Sequence, residues 1–134
     1  MKFNPLKPEL YVSNFETSLS FYRNILGFNV EYTRENPHFA FLSYQGSQLM
    51  IQQDDNDEDW HNGKPEYPFG RGINLEIDTT EIEKLINSLN SNNYPLKIGL
   101  KQSIYMENET EHGAREFLVM DPDGYLLRFS EKII

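Results

Sequence analysis

His112-Gly113-Ala114-Arg115-Glu116-Phe117-Leu118-Val119-Met120-Asp121-Pro122-Asp123-Gly124-Tyr125-Leu126-Leu127-Arg128-Phe129 reads as two strands joined by one turn. Asp121-Pro122-Asp123-Gly124 suits a type I turn, with a carboxylate at the first position, Pro at the second and Gly at the fourth. The residues on either side alternate as half-buried strands do. An antiparallel hairpin over Glu116 to Met120 and Tyr125 to Ser130 is therefore expected.

Working back from this hairpin, strands are expected at Leu96 to Leu100 and around Ile104 to Glu107. The polar break Asn90-Ser91-Asn92-Asn93 precedes them. Ile82, Leu85, Ile86 and Leu89 keep the spacing of an amphipathic helix, and Thr80-Glu81-Ile82-Glu83 has the form of a capping box. Gly72 to Asp78 reads as the strand before that helix. The same order occurs earlier in the chain: a short strand at Leu10-Tyr11-Val12, then cap oxygens at Ser13-Asn14. A helix follows through Phe15, Leu19, Tyr22 and Leu26, with Phe21 and Ile25 widening its apolar stripe and Gly27 as its stop. Strand-like runs come next at Phe28 to Thr33, Phe39 to Tyr44 and Gln48 to Gln53. Two βαβββ modules, about 1–60 and about 70–134, make one α+β domain of paired, cupped mixed sheets.

Between the modules, Asp54 to Asp59 holds five carboxylates in six residues and reads as a solvated linker. Its spacing lacks the alternating ligands and Gly turn of a calcium loop. Trp60 at its edge is the one feature a linker does not require.

The chain has 134 residues, enough to bury one core without staples. Twelve Lys and Arg against 21 Asp and Glu give a net charge of −9, which opposes binding to nucleic acid or to an anionic membrane. A cationic partner is the electrostatic expectation. With no cysteine, disulfides, thiolate metal sites and a Cys nucleophile are excluded. No apolar stretch reaches the length of about 18 residues that a membrane span needs, and a soluble, cytoplasmic protein is expected. Aromatic residues make up 13%, a level that fills a core or lines a site for a flat ligand.

The hairpin closely resembles the terminal hairpin of the vicinal oxygen chelate superfamily, which includes glyoxalase I, extradiol dioxygenases, fosfomycin-resistance enzymes and bleomycin resistance proteins. Val12 to Phe28 is similar to that superfamily's first helix. The resemblance implies the glyoxalase/bleomycin resistance fold and a dimer. It also offers two functions: a metal-dependent glyoxalase-type lyase, isomerase or dioxygenase, or a metal-free binding protein.

The superfamily's enzymes hold a divalent ion through His, Glu or Gln at four strand positions. Carried over, these fall on Lys7, on Ile51 or Gln52, on Gly72 and on Arg128, so no metal or other cofactor is expected. His38, His61 and His112 lie in separate segments without ligand spacing. Neither a nucleophile elbow nor a phosphate-binding loop occurs, and no catalytic residue is nominated.

The Arg115-Glu116-Phe117 strand before Asp-Pro-x-Gly resembles the bleomycin resistance branch. That resemblance implies an acidic homodimer sequestering a cationic, aromatic glycopeptide drug in clefts at the dimer interface. The candidate ligand-binding residues are Phe39, Phe41, Trp60, Asn74, Glu76, His112 and Arg128. Asn74 and Glu76 follow from strand parity if Gly72 faces the cup. Phe39 matches an aromatic of the family's drug cleft, and His112 stands where relatives often carry Trp. Arg128 is the discordant member, since a free cation in the cup repels a cationic guest. A carboxylate such as Glu76 is expected to pair with it, unless the ligand is small and anionic.

Overall fold

The structure, a computed structural model, describes residues 1–133. The first module runs β1 (Glu9–Val12), α1 (Phe15–Ser20), a π-helical turn (Phe21–Ile25), β2 (Asn29–Arg34), β3 (Phe39–Tyr44) and β4 (Ser47–Gln53). After a 3-10 turn at Glu58–Trp60, the second runs β5 (Asn74–Asp78), α2 (Ile82–Ser91), β6 (Ile98–Glu107), β7 (Thr110–Met120) and β8 (Leu126–Lys132). The modules form two four-stranded sheets, ordered β1-β4-β3-β2 and β5-β8-β7-β6. In each the first strand lies parallel to the last, and the other pairs are antiparallel. This is the α+β architecture of paired βαβββ modules that the sequence predicts.

Three local expectations are corrected. The runs expected at Leu96 to Leu100 and around Ile104 to Glu107 become one strand, β6, which begins only at Ile98 and whose pairing with β7 shifts between Ile98 and Lys101. No break follows, because Lys101, Gln102 and Ser103 pair with Glu116, Arg115 and Ala114 of β7 and carry the strand through. The capping box does not form: Glu81 occupies the cap position without a side-chain bond. Thr79 Oγ1 instead accepts from the Glu81 N–H at 2.9 Å, and Glu131 Oε2 on β8 accepts from the Ile82 N–H at 3.1 Å. Finally, Gly72 lies in the turn before β5 at φ +89°, outside the strand whose parity it was expected to set.

One face of each sheet packs with the helices into a core that both modules share, including Tyr22, Leu42, Ile51, Phe117 and Phe129. Polar pairs inside it connect distant segments. The Tyr22 hydroxyl donates to Asp121 Oδ2 at 2.7 Å, and the Tyr44 hydroxyl and Thr79 Oγ1 are 2.7 Å apart. The Asp121-Pro122-Asp123-Gly124 turn forms as expected: the Gly124 N–H donates to Asp121 O at 2.9 Å, and Asp121 Oδ1 accepts from the Asp123 and Tyr125 N–H groups. Among the described residues no helix is long and apolar enough to cross a membrane.

Candidate functional site

Alternation along the strands decides which side chains can meet a ligand. In β3, Ala40 and Leu42 join the shared core and Phe39 and Phe41 occupy the opposite face. Both rings are only 1% exposed. Tyr32 stacks on Phe41 at 5.2 Å, Phe3 meets its edge at 5.3 Å, and the Arg34 guanidinium sits 4.1 Å from the Phe39 centroid. The chain's own residues therefore cover this pair, which lines neither cavity described below.

On the second sheet, Asn74, Glu76 and Asp78 share the face turned away from the core, as parity requires. β8 runs parallel beside them and sets Arg128 level with Glu76. Arg128 Nη2 forms an ion pair with Glu76, and its Nε lies 3.1 Å from Glu116 Oε2, close enough for ionic attraction although not aligned as a hydrogen bond. The cation is thus held between two carboxylates, and the three groups together carry one net negative charge.

A cavity of about 640 Å³ opens at the C-terminal end of these strands. Glu76, Asp78 and Ser130 line it from β5 and β8, and Tyr105 and His112 from the β6–β7 ribbon. The Tyr105 and His112 rings stack at 5.3 Å and 20°, forming a flat wall. His112 Nε2 lies 3.6 Å from Glu107. Three carboxylates, Glu76, Asp78 and Glu131, face one ammonium, Lys132, across the lining. Arg115 first, then the Ile82 N–H, hold the Glu131 carboxyl below its ordinary range, so it stays ionised. The site can receive a cation beside an aromatic surface.

The seven nominated residues do not converge. Glu76 and His112 line this cavity, Arg128 supports it through Glu76, and Asn74 lies further along the same face, outside the lining. Trp60 lines a different cavity of about 560 Å³, at the seam between β1 and the start of β5 and β8. The linker does not simply float in solvent: the His61 ring packs against Tyr11 at 4.5 Å, tilted by 33°, and its Nδ1 donates to the Asp57 carbonyl at 2.7 Å. Sequence reasoning missed Asp78, which the parity that found Glu76 could have supplied, and Tyr105. The latter becomes visible only once β6 is read as continuous and paired with β7.

The positions at which the superfamily's enzymes hold a metal do not fit one here. Lys7 donates through Nζ to the Asn4 carbonyl, Ile51 faces the helix-side core, Gly72 has no side chain, and Arg128 puts a cation where a ligand would stand. Gln52 alone offers a donor atom. Among the described residues no three His, Asp or Glu side chains gather to hold an ion elsewhere.

The model of the Glyoxalase/Bleomycin resistance protein/Dioxygenase superfamily matches residues 4–129. A solved member of that superfamily from Vibrio splendidus 12B01 is 30% identical over 93% of this chain and 95% of its own, with a TM-score of 0.43. The virulence protein STM3117 from Salmonella typhimurium is 21% identical over 99% of this chain and 100% of its own, with a TM-score of 0.66. TioX from Micromonospora sp. ML1, at 13% identity over 98% of this chain and 100% of its own, reaches a TM-score of 0.71. The likeness to the last two concerns the fold alone. No curated protein sequence matches the chain. With the family model covering nearly its whole length and both modules in place, the chain belongs to the glyoxalase/bleomycin resistance protein/dioxygenase superfamily.

Proposed function

We propose that the chain is a metal-independent binding protein that sequesters a cationic, aromatic small molecule of the bleomycin type in the cavity of the second sheet. The cleft is completed by a second copy of the chain. The observation that carries this reading is the pairing of Arg128 with Glu76 and Glu116, which removes the objection a free cation would raise. With Arg128 held by Glu76 and Glu116, and Arg115 by Glu83 and Glu131, Asp78 and Lys132 complete a set in which five carboxylates meet three cations beside the Tyr105–His112 wall. The net charge of −9 adds a long-range field of the same sign. A metal-dependent lyase, isomerase or dioxygenase would need donors that Lys7, Ile51, Gly72 and Arg128 do not supply.

Calorimetric titration of metal-free bleomycin into metal-free protein tests this. Saturable heat that weakens with added salt is expected, and Asp78→Asn should lower affinity by about tenfold, the loss of about 1.4 kcal/mol of charge attraction. Absence of both heat and thermal shift at excess drug overturns the reading. So does tight retention of about one equivalent of nickel, zinc, iron or manganese with turnover that a chelator abolishes.

A further inference from the structure

We propose that the seam cavity is a second ligand site, which takes a planar aromatic ring system without net charge. Its walls come from four separated segments: Tyr11 from β1, Trp60 from the 3-10 turn, Phe69 from the end of the linker, and Tyr125 from the terminal hairpin. Trp60 is 73% exposed and plays no part in the shared core, so its indole is available as a stacking surface. Ile73 and Leu126 add apolar surface to the lining.

Two of the walls, Phe69 and Tyr125, are fixed before any ligand arrives. The Phe69 N–H donates to the Asp123 carbonyl at 2.9 Å, and the Tyr125 hydroxyl donates to the Tyr11 carbonyl at 2.8 Å. Linker and hairpin approach so closely that a Cβ on Gly124 would stand 2.6 Å from Pro68. One on Gly70 would stand 2.7 Å from the Tyr125 ring. A cavity built this way asks for little ordering on binding, which favours a rigid, flat guest over a flexible one. The volume of about 560 Å³ leaves room for such a ring system.

Charge separates this site from the cup. Within the lining Glu9 and Glu66 are balanced by Lys64 and Arg71, and the carboxylates Asp55 and Asp57 act on Tyr11 only from outside it, so selection for a cation is weaker here than in the cup. Recognition by stacking and shape remains, and this is the chemistry of uncharged heteroaromatic compounds.

The chain contains one Trp, so its emission reports on this site alone. Quinoline, uncharged at neutral pH, is the probe. Saturable quenching with one equivalent bound per chain is expected, and calorimetry should give the same affinity. Trp60→Ala and Phe69→Leu, each checked for native circular dichroism, should weaken calorimetric binding by about tenfold, the usual worth of a lost stacking face. Cyclohexylmethanol, similar in bulk but not planar, should bind at least about tenfold more weakly. Linear quenching matching that of free N-acetyltryptophanamide, equal affinity for cyclohexylmethanol, or variants that bind quinoline unchanged each overturn the assignment.

Discussion

Asp121 shows how much of a residue's work its neighbours in sequence can reveal. The turn it begins is readable from Asp121-Pro122-Asp123-Gly124, because a short acceptor, a fixed φ and a left-handed glycine are local requirements. Its bond from the Tyr22 hydroxyl, 99 residues away, has no local signature. Nor do the bonds that Asp123 accepts from Ser13, 110 residues away. Burial pushes the Asp121 carboxyl up to about 6, against the pull of the Tyr22 hydroxyl and the Tyr125 and Asp123 N–H groups. In the unfolded chain it titrates near 3.8, so between about 4 and 6 the folded state binds more protons than the unfolded one. Stability from this group is therefore full below that window and falls as pH rises through it, by an amount on the order of 3 kcal/mol for about two pH units. The Glu131 carboxyl, held low by Arg115, works in the opposite sense: its contribution is present above the ordinary carboxylate range and fades as pH falls below it. Asp121→Asn cannot ionise and leaves Glu131 untouched. Urea unfolding of both proteins from pH 4 to pH 7 should show the wild type losing stability relative to the variant as pH rises. A difference that stays constant across the window rules out a raised carboxyl at this position.

At the scale of elements, apolar spacing locates the two helices, although the first, expected to run on through Leu26, passes into a π-helical turn at Phe21, and their ends depend on partners the spacing cannot name. The α1 cap is local, Asn14 Oδ1 accepting from the Thr17 N–H at 3.1 Å, and it was legible. The α2 cap is not local: Glu131 reaches the Ile82 N–H from β8, and Glu83, the apparent capping-box partner, turns to Arg115 at 2.9 Å. The same dependence on distant surroundings merges two expected strands into β6, since pairing with β7 carries the chain across an irregular stretch. These alternatives make different demands on substitution. Glu131→Ala should cost about 1–2 kcal/mol, because it leaves the Ile82 N–H without its acceptor and removes one anchor of Arg115. Glu131→Gln keeps an acceptor oxygen and should recover most of the loss. Glu83→Ala removes only an exposed ion pair and should stay within about 0.5 kcal/mol. Chemical denaturation separates the cases, and a Glu83→Ala penalty equal to that of Glu131→Ala would restore the capping box.

For the whole molecule, the paired modules were legible because each strand, turn and helix signal occurs twice in the same order. The site was legible only in fragments: parity fixes which face a side chain takes, but not what covers that face. Phe39 and Phe41 lie under Phe3 and Tyr32, and the docking of the linker depends on fits at Gly70 and Gly124 that composition does not announce. One large surface is left without cover. β8 pairs with β7 only from Ala114 onward, so the β6–β7 ribbon projects beyond its sheet with Ile104, Tyr105 and Met106 each 58% exposed. β6 is also a sheet edge without proline, the kind of strand that pairs with another chain. A two-fold antiparallel pairing centred on Ile104 sets Lys101 opposite the partner's Glu107, so charge and apolar contact favour the same register. Light scattering behind size exclusion should therefore give the mass of two chains. Ile104→Lys should shift the equilibrium toward one chain while leaving circular dichroism unchanged, since that side chain supports nothing within its own chain. Lys101→Glu and Glu107→Lys should each weaken association, and together they should restore it, because only an opposed pair regains attraction when both signs are reversed. A chain that stays single at high concentration, or a dimer indifferent to all of these substitutions, shows that the ribbon does not join two copies.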